Sequence, residues 1–279
     1  MKSHIAVTGA TGFLGRHVIK CLLDAGIDAV ATARTRSATV SGCRFVSLDI
    51  ANPPLDAFER LGSPEVLIHL AWDGLPNYRS HHHFEQELPR QYRFLKGLIE
   101  AGLPKLVVAG TCFEYGLQSG ELSEQAPTNP CTTYGFSKDA LRRQLEYIMA
   151  ETSTSLTWAR LFYLWGEGQA PGSLYAQISA AANRGDARFP MSGGEQLRDY
   201  LPVSQAADLM VQLALQSGGA GVLNLCSGQP VSVRSLVEHW IVEYDWNIIP
   251  TFGCYPYPDY EPMAFWGSAS RLINYLIQG

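Results

Sequence analysis

The stretch Ile5-Ala6-Val7-Thr8-Gly9-Ala10-Thr11-Gly12-Phe13-Leu14-Gly15 decides how this chain is read. Ile5 to Val7 is a short apolar run of strand character, ended by Thr8-Gly9. Residues 13–25 then carry Phe13, Leu14, Val18 and Leu22 at helical spacing, and Gly26 closes that helix as a C-cap. Gly9, Gly12 and Gly15 fall at the turn between strand and helix. This spacing lets the backbone turn tightly, approach a pyrophosphate and pack helix on strand. The first helical turn then offers free N–H groups and a partial positive charge to phosphates. Strand, loop and helix stand in register, which a bare tight turn does not require.

Working outward, apolar runs of strand length alternate with helical patterns. Further strands are expected at 27–33, 45–48, 66–71, 106–109, 156–161 and 222–225, with helices at 84–101 and 136–150. The run at 66–71 is nearly all apolar, as a strand buried on both faces should be. This order predicts an α/β fold: a Rossmann-like doubly wound parallel sheet with a small C-terminal substrate lobe. Residues 1–165 and about 200–227 are assigned to the dinucleotide-binding domain, and 166–199 and 228–279 to the lobe. After residue 161 glycine and proline punctuate the chain, so this part is expected to be loop-rich. The proline- and aromatic-rich tail at 250–266 either lines a pocket or packs the lobe.

Composition narrows the partners. Lysine plus arginine count 21 and aspartate plus glutamate 26, a formal net charge of −5. That balance argues against nucleic acid, whose phosphates call for a basic excess. Hydrophobic residues make up 46% and charged residues 17%, so the chain can bury a large core. No apolar run reaches membrane-spanning length, and no membrane partner is expected. The N-terminus enters a strand at once and is read as leaving no room for a signal peptide, which makes a cytoplasmic protein the expectation. Six cysteines lack C-x-x-C spacing and read as reduced thiols. His81-His82-His83 cannot all face one ion from a regular element. No metal site is expected there, only a solvated loop or helix start.

The end of the second strand reads Thr32-Ala33-Arg34-Thr35-Arg36 and holds no acid. An acid there would hold the adenosine ribose of NAD, whereas Arg34 and Arg36 suit a 2′-phosphate. NADP(H) is therefore the favoured cofactor here, with NAD(H) as the alternative. Further on, Tyr134-Gly135-Phe136-Ser137-Lys138 begins a helix, so Tyr134 and Lys138 share one face. A nearby ammonium favours the phenolate and eases its ionisation. Thr111 ends the fifth strand with a hydroxyl able to bond a substrate oxygen.

On these residues the chain resembles the extended short-chain dehydrogenase/reductases, in particular the NAD-dependent epimerase/dehydratase group that acts on nucleotide sugars. The resemblance rests on Thr8–Gly15, Asp49-Ile50, His69-Leu70-Ala71, Thr111 with Tyr115-Gly116, Pro130–Lys138, Arg160–Gly168, Arg198-Asp199-Tyr200 and Asn224–Gly228. It implies that Gly9, Thr11, Gly12 and Gly15 hold the pyrophosphate, with Phe13 and Leu14 at the loop. It implies that Asp49 and Ile50 border the adenine, and Leu70 and Ala71 the ribose. Thr111, Tyr134 and Lys138 would form the catalytic set, the last two also touching the cofactor. Trp72, Tyr78, Cys112, Phe113, Tyr163 and Arg198 are the candidate substrate contacts. The resemblance also implies a homodimer through a four-helix bundle made by helices 84–101 and 136–150, which carry Leu88, Leu95 and Leu98, and Phe136, Leu141, Leu145 and Ile148.

Departures from the group's pattern help choose the reaction. Dehydratases of the group carry an Asp-Glu pair where this chain has Cys112-Phe113, which cannot do acid/base work. A nucleotide-linked 4-keto-6-deoxyhexose reductase is the first expectation, chosen on Arg34 and Arg36 and on the resemblance of residues 110–116 (GTCFEYG) and 72–78 (WDGLPNY) to proteins that handle 4-keto-6-deoxy nucleotide sugars. A 4-epimerase with bound NAD is the alternative, and a catalytically silent cofactor-binding regulator comes third. Tyr163 replaces an asparagine common in the group, and Glu87 another.

Overall fold

The computed structural model describes residues 4–37 and 40–278. Its centre is a parallel sheet of β1 (Ile5–Thr8), β2 (Ala29–Ala33), β3 (Arg44–Ser47), β4 (Val66–His69), β5 (Lys105–Thr111), β7 (Ser155–Leu161) and β11 (Gly221–Leu225). Across the sheet they run β11-β7-β5-β4-β1-β2-β3. Side chains alternate between the two faces. Ile5 and Val7 join one core, where α1 (Phe13–Asp24), α6 (Val203–Leu215) and Leu272 of α8 (Ser270–Gln278) cover the sheet. Ala6, Leu106 and Val108 join the other, under α3 (Leu88–Glu100) and α4 (Thr133–Met149). Helices thus lie on both faces, as the apolar strands require. α2 (Ala57–Arg60) is a single turn beside the second core.

A smaller region stands at the carboxyl end of the sheet. It holds β8 (Tyr163–Trp165), β10 (Leu197–Pro202) and β12 (Pro230–Ser232) in one sheet. Two strand pairs accompany it: β9 (Arg188–Pro190) with β13 (Ile249–Thr251), and β6 (Gly120–Leu122) with β14 (Phe265–Gly267). α5 (Leu174–Arg184) and α7 (Val233–Glu243) close on its core through Ile178, Val237 and Trp240.

Four findings differ from the expectations. The stretch after residue 161, expected to be loop-rich, holds four helices among the described residues; α6 packs in the main core within the segment assigned to it, whereas Leu272 of α8 joins that core from the stretch assigned to the lobe. The glycines and prolines there mark ends of elements rather than long loops: Pro202 caps α6, and Gly185 ends α5 at φ +79°. The helix expected at 84–101 opens with a π-helical turn, His83–Glu87, before α3. Pro89 in the first turn of α3 has no N–H to return to the preceding turn, and the ladder widens there. Finally, Leu95, Leu98, Leu141 and Leu145 are buried within this chain's own core, so they cannot meet a second copy. Phe136 is the exposed member of that set. Among the described residues no helix is long and apolar enough to cross a membrane.

Candidate active site

The carboxyl ends of β1, β2 and β4 open into a groove of about 390 Å³. Gly9, Thr11 and Gly12 form its floor. Arg34, Asp49 and Ile50 line one side, and Leu70, Ala71, Trp72 and Asp73 the other. Gly9 has φ +66°, and a Cβ there would stand 2.8 Å from the Ala71 nitrogen. A Cβ on Gly15 would stand 2.1 Å from the Gly9 carbonyl oxygen. Both positions therefore exclude a side chain, and the chain backbones meet at the floor. Gly12 starts α1 without a side-chain cap, and no acidic residue stands in the first turn. The helix thus presents unopposed N–H groups and a positive end, a fit for a dinucleotide's pyrophosphate.

Some candidates do not reach this groove. Leu14 is buried in the core, Phe13 packs against the His17 ring at 6.2 Å, and Gly15 serves the helix–strand contact. Their part is to shape the loop. Arg36 leaves the groove and lies over the Phe45 ring at 5.8 Å. Arg34 stays but faces an acid: its Nη2 is 4.0 Å from Asp73 Oδ1. Glu87, Arg90 and Gln91 also line the groove, and only Glu87 had been marked by the sequence, as a replaced asparagine.

Tyr134 lies in the first turn of α4, whose N-cap Thr132 accepts from the Gly135 N–H at 3.1 Å. Its ring meets those of Trp72 (5.9 Å), Tyr78 (5.6 Å), His83 (5.4 Å) and Phe113 (6.2 Å). Burial holds the phenol well above its ordinary range. Tyr78 adds to that, and a hydrogen bond with Thr111 opposes it. Lys138, one turn on, donates to the Ala109 carbonyl at 2.9 Å and sits 4.1 Å from the centroid of the Trp72 ring. Its Nζ is 6.0 Å from the Tyr134 ring centroid. Burial pushes Lys138 down to about 7, against the pull of Glu114 and Glu87. The expected easing of the phenol by the ammonium is thus outweighed: Lys138 is directed to Ala109 and Trp72, and burial governs Tyr134.

Thr111 ends β5 and caps the turn that follows, accepting from the Phe113 N–H at 3.3 Å. Its own N–H donates to Glu114 Oε1 at 2.9 Å. Glu114 is fully buried and also accepts from Trp158 Nε1 at 2.9 Å and Arg160 Nε at 2.7 Å. This carboxylate ties the Thr111 backbone to Trp158 and Arg160.

A helix starts at the three histidines, as expected, and His81 is exposed, but His83 departs from the solvated reading. His83 is buried; it accepts from Trp72 Nε1 at 3.1 Å and donates to the Asn77 carbonyl at 2.9 Å. Those two bonds define one neutral tautomer, and burial lowers its pKa in agreement. Asp73, His82 and Glu87 bring ligand-type atoms within 4.8 Å of one another. Arg34, Arg90 and Gln91 pair with the two carboxylates, so the group is a charge network at the groove.

A second cavity, about 290 Å³, opens beside the smaller sheets, with Tyr163, Arg198, Tyr200, Tyr255 and Glu261 among its walls. Tyr163 and Arg198 were expected there; Glu261 and Tyr255 come from the aromatic tail. Arg198 is buried and donates to Glu261 Oε2 at 3.0 Å. Tyr78 and Phe113 pack 4.8 Å apart between Tyr134 and Tyr260. Cys112 is buried with Phe162 and Cys226 and reaches neither cavity. Trp72 belongs to the first groove rather than to the second cavity.

A glycine-floored groove at the carboxyl edge of a doubly wound sheet, with a Tyr-Lys pair one helical turn apart beside it, defines a dinucleotide-dependent enzyme. The match to the NAD dependent epimerase/dehydratase family over residues 5–226 agrees, and the chain belongs to that family of oxidoreductases and epimerases. It is 31% identical over 270 residues to a dTDP-6-deoxy-L-talose 4-dehydrogenase (NAD(+)) from Aggregatibacter actinomycetemcomitans, covering 95% of this chain and 99% of that one. It is similar to MoeE5, solved in complex with UDP-glucuronic acid and NAD, with TM-score 0.84 and 26% identity over 98% of this chain and 92% of that one. The UDP-glucuronic acid 4-epimerase from Bacillus cereus, solved with UDP-glucuronic acid and NAD, shares the fold (TM-score 0.81, 21% identity, 99% and 93% covered).

The first two of these relatives overturn the expectation of NADP(H): the dehydrogenase is described with NAD(+), and MoeE5 was solved with NAD. The physical reason lies in the groove. Arg36 is turned onto Phe45, and Arg34 faces the carboxylate of Asp73.

Proposed function

We propose that this chain moves hydride between NAD and C4 of a nucleotide-linked hexose, with Tyr134 exchanging the proton on the C4 oxygen. One arrangement supports this. Tyr134 touches Trp72 of the glycine-floored groove on one side, and on the other Phe113, which packs on Tyr163 of the second cavity at 6.5 Å. A cofactor in the first space and a sugar nucleotide in the second would meet at the phenol.

The roles follow from the chemistry. Gly9, Thr11 and Gly12 receive the pyrophosphate. Asp49 and Ile50 border the adenine, and Leu70 and Ala71 the ribose. NAD, when bound, supplies acceptance and return of the hydride. Tyr134 donates a proton to the C4 oxygen as a carbonyl is reduced and takes it back as the alcohol is oxidised. Burial keeps the phenol protonated, the form that donates when a carbonyl is reduced; oxidation of an alcohol needs the phenolate, which positive charge beside it would favour. Thr111 orients the reacting oxygen, and Lys138 places positive charge beside the ribose and the phenol. Water elimination is a poor fit: the Cys112 thiol is buried and pushed up, Phe113 is inert, and Glu114 is fully bonded.

The hydride has two fates. Returned to the opposite face of the same sugar, it makes the chain a 4-epimerase. That becomes the first reading, because Arg34 and Arg36 no longer favour a one-way, NADPH-consuming reductase. The second reading is net oxidation or reduction at C4, favoured by the likeness to the 6-deoxy-L-talose 4-dehydrogenase. Incubation of UDP- and dTDP-linked hexoses with NAD, and of their 4-keto forms with NADH, tests both. A 4-epimer formed without net change at 340 nm supports the first, and stoichiometric formation or consumption of NADH supports the second. Neither product from any of these sugars, with NAD bound, would sink the proposal.

A further inference from the structure

We propose that Asp73 is the residue that sets the cofactor choice, acting from the end of β4 across the groove; this rests on the NAD reading above. In dinucleotide-binding folds the residue after β2 reads the adenosine ribose, and an acid there accepts hydrogen bonds from its hydroxyls. Here that position holds Arg34, a residue type that favours a 2′-phosphate. The acid is supplied from elsewhere: Asp73 Oδ1 stands 4.0 Å from Arg34 Nη2, and both line the same groove.

Asp73 is held in place from behind. Its backbone N–H donates to Glu87 Oε2 at 3.1 Å. That buried carboxylate also accepts from Gln91 Nε2 at 3.0 Å and pairs with Arg90 at 3.4 Å. His82 Nε2 lies 3.8 Å from Asp73 Oδ2 and 3.7 Å from Glu87 Oε1. The groove mouth therefore sets the guanidiniums of Arg34 and Arg90 against the carboxylates of Asp73 and Glu87. A 2′-phosphate, close to doubly negative, needs a cationic excess that this arrangement does not offer. A ribose hydroxyl meets an acceptor instead.

Calorimetric titration of NAD+ and NADP+ into wild type, Asp73→Asn, Asp73→Glu and the double variant Arg34→Ala/Asp73→Asn tests this without recourse to turnover. Asp73→Asn should tighten NADP+ about tenfold relative to NAD+, the scale of one removed like-charge contact. Asp73→Glu should keep the wild-type ratio. Removing Arg34 in the Asn background should erase the gain, since the freed guanidinium is what holds the phosphate. If NAD+ binds wild type and the ratio of affinities does not move in Asp73→Asn, or the gain survives loss of Arg34, the proposal is overturned. If wild type binds neither dinucleotide, the NAD reading itself falls, and this inference with it.

Discussion

Lys138 faces Trp72: the ammonium lies 4.1 Å from the centroid of the indole ring, whose N–H is fixed on His83 at 3.1 Å. The same indole is a wall of the dinucleotide groove and an edge-on neighbour of Tyr134. Anything that presses on the groove wall is therefore felt by the lysine and the phenol together.

The first prediction concerns that pair. Burial brings Lys138 to about 7, so in the cofactor-free protein the ammonium is present below that pH and lost above it. The cation–π contact with Trp72 should disappear over the same interval. The difference in tryptophan fluorescence between wild type and Lys138→Met should titrate with a midpoint near 7. A flat difference from pH 5.5 to 8.5 would reject the buried, depressed lysine.

Tyr134→Phe should lower turnover by about 10²–10⁴-fold, the usual contribution of a positioned acid/base group. The aromatic packing survives the change, so NAD affinity should stay within about threefold. Full activity in this variant would remove Tyr134 from the proposed chemistry.

His69 predicts an acid-sensitive stability. It is fully buried between the Thr8 hydroxyl at 2.8 Å and the Gln91 side-chain oxygen at 2.8 Å. Burial and then Lys138 lower its pKa from 6.5 to about 3. The unfolded chain therefore binds more protons between those values, and stability falls as pH drops from 6.5 towards 3. The full shift sets an upper bound of roughly 5 kcal/mol on this contribution. Urea unfolding across this range should show a steeper acid loss in wild type than in His69→Gln. Parallel curves would contradict it.

Gly15→Ala should destabilise the fold by about 1–3 kcal/mol, because the added methyl meets the Gly9 backbone and α1 must move. Gly172→Ala is the control. A Cβ there meets nothing within 4 Å, and the change should stay within about 0.5 kcal/mol. Equal melting temperatures for the two variants would refute the tight helix–strand contact.

Strands such as β1, β4 and β5 were legible because each is an apolar run buried on both faces, a local signal that needs no partner to be seen; the edge strand β3, exposed at Arg44 and Ser47, showed only through Phe45 and Val46. The glycine floor and the Tyr134–Lys138 spacing were legible for the same reason, since each is a pattern within a few residues. What escaped depends on chain segments meeting in space. Arg34 reads as a phosphate ligand until β4 brings Asp73 opposite it. His83 reads as solvated until the π-helical turn tucks it behind Trp72. Glu261 has no motif of its own, and it reaches Arg198 only because the tail folds back over the smaller sheets. α6 was legible in principle: its buried Val203, Ala206, Ala207, Met210, Val211 and Ala214 fall on one helical face, a stripe that the reading of glycine and proline after residue 161 passed over.

The placement of β1 between β2 and β4 has a bearing on synthesis. The apolar face that Ile5 and Val7 turn towards α1 is covered in part by α6, which leaves the ribosome long after them. β11, the far edge, follows later still. Until that stretch emerges, the nascent N-terminal half carries bare strand faces and an unfilled helix layer, a state prone to self-association. Chains halted before Leu225 should accordingly be recovered as aggregates or on chaperones rather than as a folded nucleotide-binding half.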